Sequence, residues 1–208
     1  MMFFDLETTT LGAYDYDAKI ILAQIYHRNR LTLLKEWDLG EKELIIKLSE
    51  IFRDLKPYEP VITYNGGFDF GYVTNRIGLL FDEDERILYD SRFRVMVKHI
   101  DVFQYVGRYM VPFNIVLRLN GIGQDHADYG CVMKQMYEKK EYNNIVGHGS
   151  EDVVLLNDLL KICPDLEFGN QLGIKYGSVY KQYQEEREYR MMELRKKYGV
   201  KKLKQRKM

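Results

Sequence analysis

Residues 1–10 read MMFFDLETTT, and the pair Asp5 and Glu7 inside that stretch decides how the rest of the chain is read. In a strand, residues two apart point to the same face. Asp5 and Glu7 therefore share one face, and Phe4 and Leu6 take the other. Two like charges on a largely apolar strand repel each other and are costly to desolvate. A bound divalent cation removes both penalties. A surface edge strand with its acids in water would avoid them too, but the first strand of such a domain is usually central. The following residues, TTTLG, offer hydroxyls and backbone N–H groups at the strand end, where open sheets place their sites.

Outward from this strand, KIILAQIYH (19–27) and RLTLLKEW (30–37) read as two more strands, which suggests an antiparallel meander. EKELIIKLSEIFRDLK (41–56) has helical periodicity, with Leu44, Ile45, Leu48, Ile51, Phe52 and Leu55 on one face and Pro57 and Pro60 after it. PVITYN (60–65) is a short apolar strand of the kind buried in parallel sheets. GGFDFGYVTNRIGLL (66–80) starts at a glycine pair and becomes helical. FDEDERILYDSRF (81–93) reads as an acidic loop running into irregular structure, and KHIDVFQYV (98–106) as a fifth strand. Residues 112–143 read as helical pieces broken by NGIGQDHADYG (120–130). EDVVLLNDLLKI (151–162) is an amphipathic helix ended by Pro164. The pattern predicts an α/β fold: a mixed five-stranded sheet, three strands antiparallel and the rest parallel, flanked by helices.

The chain has 208 residues, 46% of them hydrophobic, which suits one globular domain with an appendage. We divide it into a domain over 1–165 and a helical, basic C-terminal extension over 166–208. The extension carries Lys196, Lys197, Lys201, Lys202, Lys204, Arg206 and Lys207 with no acid after Glu193. It reads either as a solvated tail or as a phosphate-binding arm. Its apolar residues Met191, Met192 and Leu194 are too sparse for a heptad.

Net charge is zero, so overall charge argues neither for nor against a nucleic-acid partner. The two cysteines, Cys131 and Cys163, form no CxxC or metal spacing and suit a reducing compartment. No signal peptide is expected, and no apolar run approaches the roughly 20 residues of a membrane span. These readings give an expectation of cytoplasmic location, or of a viral protein acting inside a host cell. There is no internal repeat and no P-loop.

Two further acidic elements join the first. In TYNGGFDF (63–70), Asp69 lies in the first turn of the expected helix, where the macrodipole favours an acid. In GHGSEDVVLLNDLL (147–160), His148 and Asp152 are four apart and share a face if the helix begins that early. If it does not, Ser150 caps an ordinary first turn.

FDLETT, then YNGGFD about sixty residues on, then His148-x-x-x-Asp152-Val153 resemble the three signature motifs of the DEDD superfamily of 3′→5′ exonucleases, which has an RNase H-like fold. The resemblance covers roughly residues 3–163. Two spacings depart from the family pattern. Two residues (Gly66, Gly67) separate Asn65 from Phe68-Asp69 where the polymerase type has three. The third motif, with His148 four before Asp152, falls between the family's subtypes.

The resemblance implies a metal-dependent 3′→5′ exonuclease acting on single-stranded or frayed DNA or RNA with a free 3′ end. It implies two Mg²⁺ or Mn²⁺ ions held by Asp5, Glu7, Asp69 and Asp152, with His148 orienting or deprotonating the attacking water. Hard cations of this kind prefer oxygen donors. It also implies backbone contacts to the terminal nucleotide from Thr8, Thr9 and Leu11, and a structural role for Asp101. Asn65 at the strand end is a further candidate substrate contact, and Tyr72, one helical turn beyond Phe68, reads either as core or as a stacking contact. An exonuclease of this kind would act either alone or in trans with replication or repair proteins. The competing readings are an endonuclease on the same fold and an inactive nuclease-like accessory protein that only binds nucleic acid.

Overall fold

The computed structural model describes residues 1–15, 17–56, 58–94, 98–105, 112–123, 126, 130 and 132–162, and in the tail 189, 192, 193, 196 and 197. In chain order the elements are β1 (Met2–Thr8), β2 (Ile20–His27), β3 (Arg30–Lys35), α1 (Glu36–Leu39), α2 (Glu41–Arg53), β4 (Pro60–Thr63), α3 (Gly66–Leu80), α4 (Glu83–Arg94), β5 (Lys98–Asp101), α5 (Val102–Tyr105), α6 (Phe113–Leu119), α7 (Met133–Glu138) and α8 (Tyr142–Ile162). The strands form one sheet in the order β3-β2-β1-β4-β5. β1 pairs antiparallel with β2, and β2 antiparallel with β3; β4 runs parallel to both β1 and β5. The expected α/β sheet is therefore present, and β1 is its central strand.

Alternation along β1 assigns the two sheet faces. Met2, Phe4 and Leu6 pack against Leu44, Ile45, Leu48 and Phe52 of α2 and Val73 and Ile77 of α3. Phe3 turns the other way, with Ile62 of β4, to meet Ile115 and Val116 of α6 and Val153, Leu156 and Leu159 of α8. Asp5 and Glu7 follow Phe3 by two and four residues, so they face the α8 side. The β1–β2 register brings Tyr26, Gln24 and Leu22 opposite Phe3, Asp5 and Glu7.

Four local expectations change. The stretch 81–93, read as an acidic loop and irregular chain, is helical from Glu83. The Asp82 carboxylate accepts the Glu85 N–H at 3.0 Å, and the Asp82 carbonyl accepts the Arg86 N–H at 2.8 Å. That is an N-cap, and the acids Glu83, Asp84 and Glu85 in the first turn suit the helix dipole. Asp82→Ala should cost about 1 kcal/mol. In a chain of this size that lowers the melting temperature by about 2–4 °C, which calorimetry resolves.

The third strand ends at Lys35 rather than running on to Trp37, because Glu36 begins α1. The fifth strand ends at Asp101 rather than running to Val106. Asp101 Oδ1 accepts the Phe103 N–H at 3.1 Å and the Asn65 N–H at 2.8 Å, which caps α5 and ties β5 to the loop after β4.

The last helix starts at Tyr142, nine residues before Glu151, so Ser150 is an interior residue and not a cap. Gly147 and Gly149 each cost about 1 kcal/mol inside a helix. Burial offsets that cost. Ile145 is fully buried with Leu22, Met133 and Met136, and a buried Ile or Leu contributes roughly 1.5–3 kcal/mol.

Among the described residues no helix is long and apolar enough to cross a membrane. Cys131, Cys163, Pro164 and the boundary near residue 165 lie outside the described residues. So does the 166–208 extension, apart from Tyr189, Met192, Glu193, Lys196 and Lys197, which are helical and exposed.

Candidate active site

The site lies where the carboxyl end of β1 meets α8. Donor oxygens of Asp5, Glu7 and Asp152 all fall within 4.8 Å of one another. Two come from adjacent same-face positions of the central strand. The third comes from α8, which crosses β1 and β2 on that face. Glu7 is buried and Asp5 half-buried. His148, one turn before Asp152, places Nε2 3.5 Å from Asp152 Oδ2 and 3.8 Å from Glu7 Oε1.

Asp69 arrives from the opposite side of the sheet, in the first turn of α3 at the carboxyl end of β4, and is 2% exposed. Burial raises its pKa to about 8, the Asp101 and Asp152 charges push the same way, and backbone N–H groups of Asp69 and Leu6 oppose them. Burial likewise drives Asp5 well above the ordinary carboxylate value, with Asp69, Asp152 and Glu7 adding to it. Four carboxyl groups thus share one field, although Asp69 is not in the tight three-residue group.

Two glycines permit the approach of these elements. A Cβ on Gly149 would lie 1.8 Å from Gln24 Nε2 and 2.7 Å from Gln24 Cδ. Gln24 is fully buried opposite Asp5, and its Nε2 donates to Glu7 Oε1 at 3.3 Å. Gly149 therefore lets α8 sit on the sheet at the height where His148 and Asp152 reach Glu7. On the other side, a Cβ on Gly66 would lie 2.1 Å from Thr63 Oγ1 and 2.6 Å from His99 Nε2, so α3 can begin there only with glycine. Its neighbour Gly67 has open space. We predict that Gly149→Ala forces α8 off Gln24 and destabilises the fold by about 1–3 kcal/mol, as overpacking does. The affinity of the Asp5, Glu7 and Asp152 cluster for Mn²⁺, at a temperature where the variant remains folded, should fall by at least about tenfold. An unchanged affinity would show that α8 can shift without cost.

The residues expected to touch substrate are dispersed. Thr8 is buried, and its hydroxyl donates to the Thr10 carbonyl at 2.7 Å. The Thr9 hydroxyl donates to the Asp17 carbonyl at 2.7 Å. Leu11 projects from the same loop, 82% exposed. Asn65 is exposed and left-handed at φ 62°, a conformation asparagine tolerates. Tyr72 is 2% exposed inside the core, with its hydroxyl 3.3 Å from Thr10 Oγ1.

Two residues next to the acids were not anticipated. Gln24 is one; a lone amide within the apolar run IILAQIY, on the neighbour of the acidic strand, was the available signal. The other is His126, with Nε2 2.7 Å from Asp152 Oδ1 and Nδ1 3.3 Å from Glu151 Oε2. Burial disfavours a charged His126, but hydrogen bonds to Asp152 and Glu151 outweigh that and hold its pKa above the ordinary value. It sits in NGIGQDHADYG, where no periodicity marks a face.

The donor chemistry fits a hard divalent cation. The Asp5, Glu7 and Asp152 oxygens are close enough for one ion, and an ion there would relieve the burial and the neighbouring charges that raise Asp5.

A central strand carrying paired acids, in a sheet ordered β3-β2-β1-β4-β5, defines an RNase H-like α/β domain. A family model described as RNase H superfamily matches residues 2–119, more than half of the chain, and the chain belongs to that superfamily. The matched segment contains Asp5, Glu7 and Asp69; His126, His148 and Asp152 lie beyond it. No curated protein matches the chain. Membership supports a nuclease-type function, a nucleic-acid substrate and the use of divalent metal.

Proposed function

We propose that this protein is a divalent-metal-dependent 3′→5′ exonuclease that hydrolyses terminal phosphodiester bonds of single-stranded or frayed nucleic acid. The observation that carries the reading is the convergence of Asp5, Glu7 and Asp152 oxygens within 4.8 Å, with Asp69 in the same field and His148 beside them. Asp5, Glu7, Asp69 and Asp152 would hold two Mg²⁺ or Mn²⁺ ions. Bound ions of this kind supply a nucleophile at neutral pH and stabilise charge on the leaving oxygen.

The chain's own residues do the rest. His148 accepts the proton of the attacking water, a task suited to imidazole near pH 7. Glu7 and Asp152 flank its Nε2 and keep the ring aimed at the cluster. The loop after β1, which presents Thr8, Thr9 and Leu11, and the exposed Asn65 at the end of β4 would hold the terminal nucleotide through backbone and shape. Such contacts give little sequence readout.

His148→Gln tests the water-handling role. We expect kcat to fall about a hundredfold while KM changes little, since general-base catalysis is worth that much or more. Full activity in His148→Gln would assign the proton to another group.

A further inference from the structure

His126 and His148 stack, with ring centroids 5.1 Å apart and planes 16° from parallel. Both turn Nε2 toward a single carboxylate: His126 to Asp152 Oδ1 at 2.7 Å, His148 to Asp152 Oδ2 at 3.5 Å. One donor atom from each of the three residues falls within 4.8 Å of the other two. Asp152 thus belongs to two ligand sets. One is all-oxygen, with Asp5 and Glu7. The other is rich in nitrogen, with two imidazoles.

The two sets suit different ions. Magnesium and its kin take oxygen, whereas imidazole suits zinc and neighbouring transition metals. Outer contacts strengthen the second reading. Nδ1 of His126 lies 3.3 Å from Glu151 Oε2, the arrangement in which a carboxylate orients a ligating histidine and leaves Nε2 for the metal. An ordinary ion pair between His126 and Asp152 accounts for one nitrogen. It does not account for a second imidazole directing the same nitrogen to the same carboxylate.

We propose that His126, His148 and Asp152 form a site for a zinc-class transition-metal ion, separate from the all-oxygen set and sharing Asp152 with it. Side-chain exposures of 4% and 9% for the two histidines and 16% for Asp152 make it a shielded site with a limited opening. Occupancy draws Asp152 and His148 away from the acidic cluster. On the exonuclease reading, zinc therefore inhibits by competing for Asp152; the binding itself does not depend on that reading.

Cobalt(II) is the probe, because its visible absorption reports nitrogen ligation. It is titrated into the full chain and into Asp5→Asn, His126→Gln, His148→Gln and Glu151→Gln. The wild type and Asp5→Asn should give the same visible spectrum, and either histidine variant should lose it. Glu151 is 64% exposed, so Glu151→Gln keeps the fold; it should bind cobalt about 10-fold more weakly or worse. Zinc inhibition of nuclease activity in excess Mg²⁺ should shift by the same factor in Glu151→Gln.

A spectrum that survives in His126→Gln but vanishes in Asp5→Asn would place the metal in the all-oxygen set and overturn the proposal. So would the absence of any cobalt spectrum in the wild type, or unchanged affinity in Glu151→Gln. If the chain cleaves no nucleic acid, the proposed activity fails while the cobalt titration still decides this site.

Discussion

Asp5→Asn is expected to abolish metal-dependent cleavage, by at least about a thousandfold, and at the same time to stabilise the metal-free protein at pH 8. The two effects have one cause. Asp5 sits among Asp69, Asp152 and Glu7, and burial and those charges hold its pKa well above the ordinary value. Asp69 is raised from 3.8 to about 8. A carboxyl group whose folded pKa lies above its unfolded one binds more protons in the native state between those two values. Stability from such a group is fully present below the unfolded pKa and is lost as pH rises through the folded pKa. This component of the metal-free protein's stability therefore falls as pH rises from about 4 to about 8. Asn at position 5 removes one charge from the cluster and flattens that decline.

Metal reverses the trend in the native protein, because it binds the folded cluster and not the unfolded chain. At a hundred times its Kd, an ion adds about 2.7 kcal/mol, or roughly 5–10 °C in melting temperature for a chain of this size. The increment should be larger at pH 8 than at pH 6, where protons compete for the same oxygens. Calorimetry of wild type and Asp5→Asn, with and without Mn²⁺ at both pH values, checks all three points. Equal metal shifts in the two proteins would show that the ion binds elsewhere.

Arg76→Ala should destabilise the fold by about 3–5 kcal/mol without any direct role at the site. Arg76 of α3 donates through Nε and Nη2 to Glu41 Oε1 and Oε2 at 2.8 and 2.7 Å. Glu41 Oε1 also accepts the Ile20 N–H at 2.8 Å. One carboxylate thus ties α2, α3 and β2 together on the face away from α8. The two side chains are 11% and 7% exposed. Removing the guanidinium strands a buried charge, which costs more than the intact pair contributes. Arg76→Met combined with Glu41→Gln should consequently lose less stability than Arg76→Ala alone, and denaturant titration distinguishes the two. A loss below about 1 kcal/mol in Arg76→Ala would mean that water reaches Glu41.

The legible parts of this chain are those governed by short-range periodicity. Alternation in FFDLE placed Asp5 and Glu7 on one face, and its place as the first strand of the domain put it at the sheet's centre, where β1 lies. The position of Asp69 in the first turn of a helix was readable from NGGFD, because the glycine pair marks the helix start; the structure adds that Gly66 has room for no side chain between Thr63 and His99. What the sequence did not disclose depends on contacts between distant segments. The early start of α8 runs against the propensities of Gly147 and Gly149 and is explained only by Ile145 burial and the seat of Gly149 on Gln24. The helix over Glu83–Arg94 could have been found, since Asp82 and Glu85 have N-cap and N3 spacing; the density of acids obscured it. His126 reaches Asp152 across 26 residues of sequence, and nothing local predicts that meeting.

The central claim is that the acidic cluster cuts a strand from its free 3′ end. Its most direct test is cleavage of 5′-labelled single-stranded DNA and RNA of equal length, in Mg²⁺, Mn²⁺ or EDTA, by the purified chain and by Asp5→Ala. The account predicts a ladder that shortens stepwise from the 3′ end only with metal and is absent in Asp5→Ala, and the faster ladder names the preferred sugar. Intact strands in both metals, with binding retained, would contradict it and leave a nucleic-acid-binding protein that has kept the carboxylates without the chemistry.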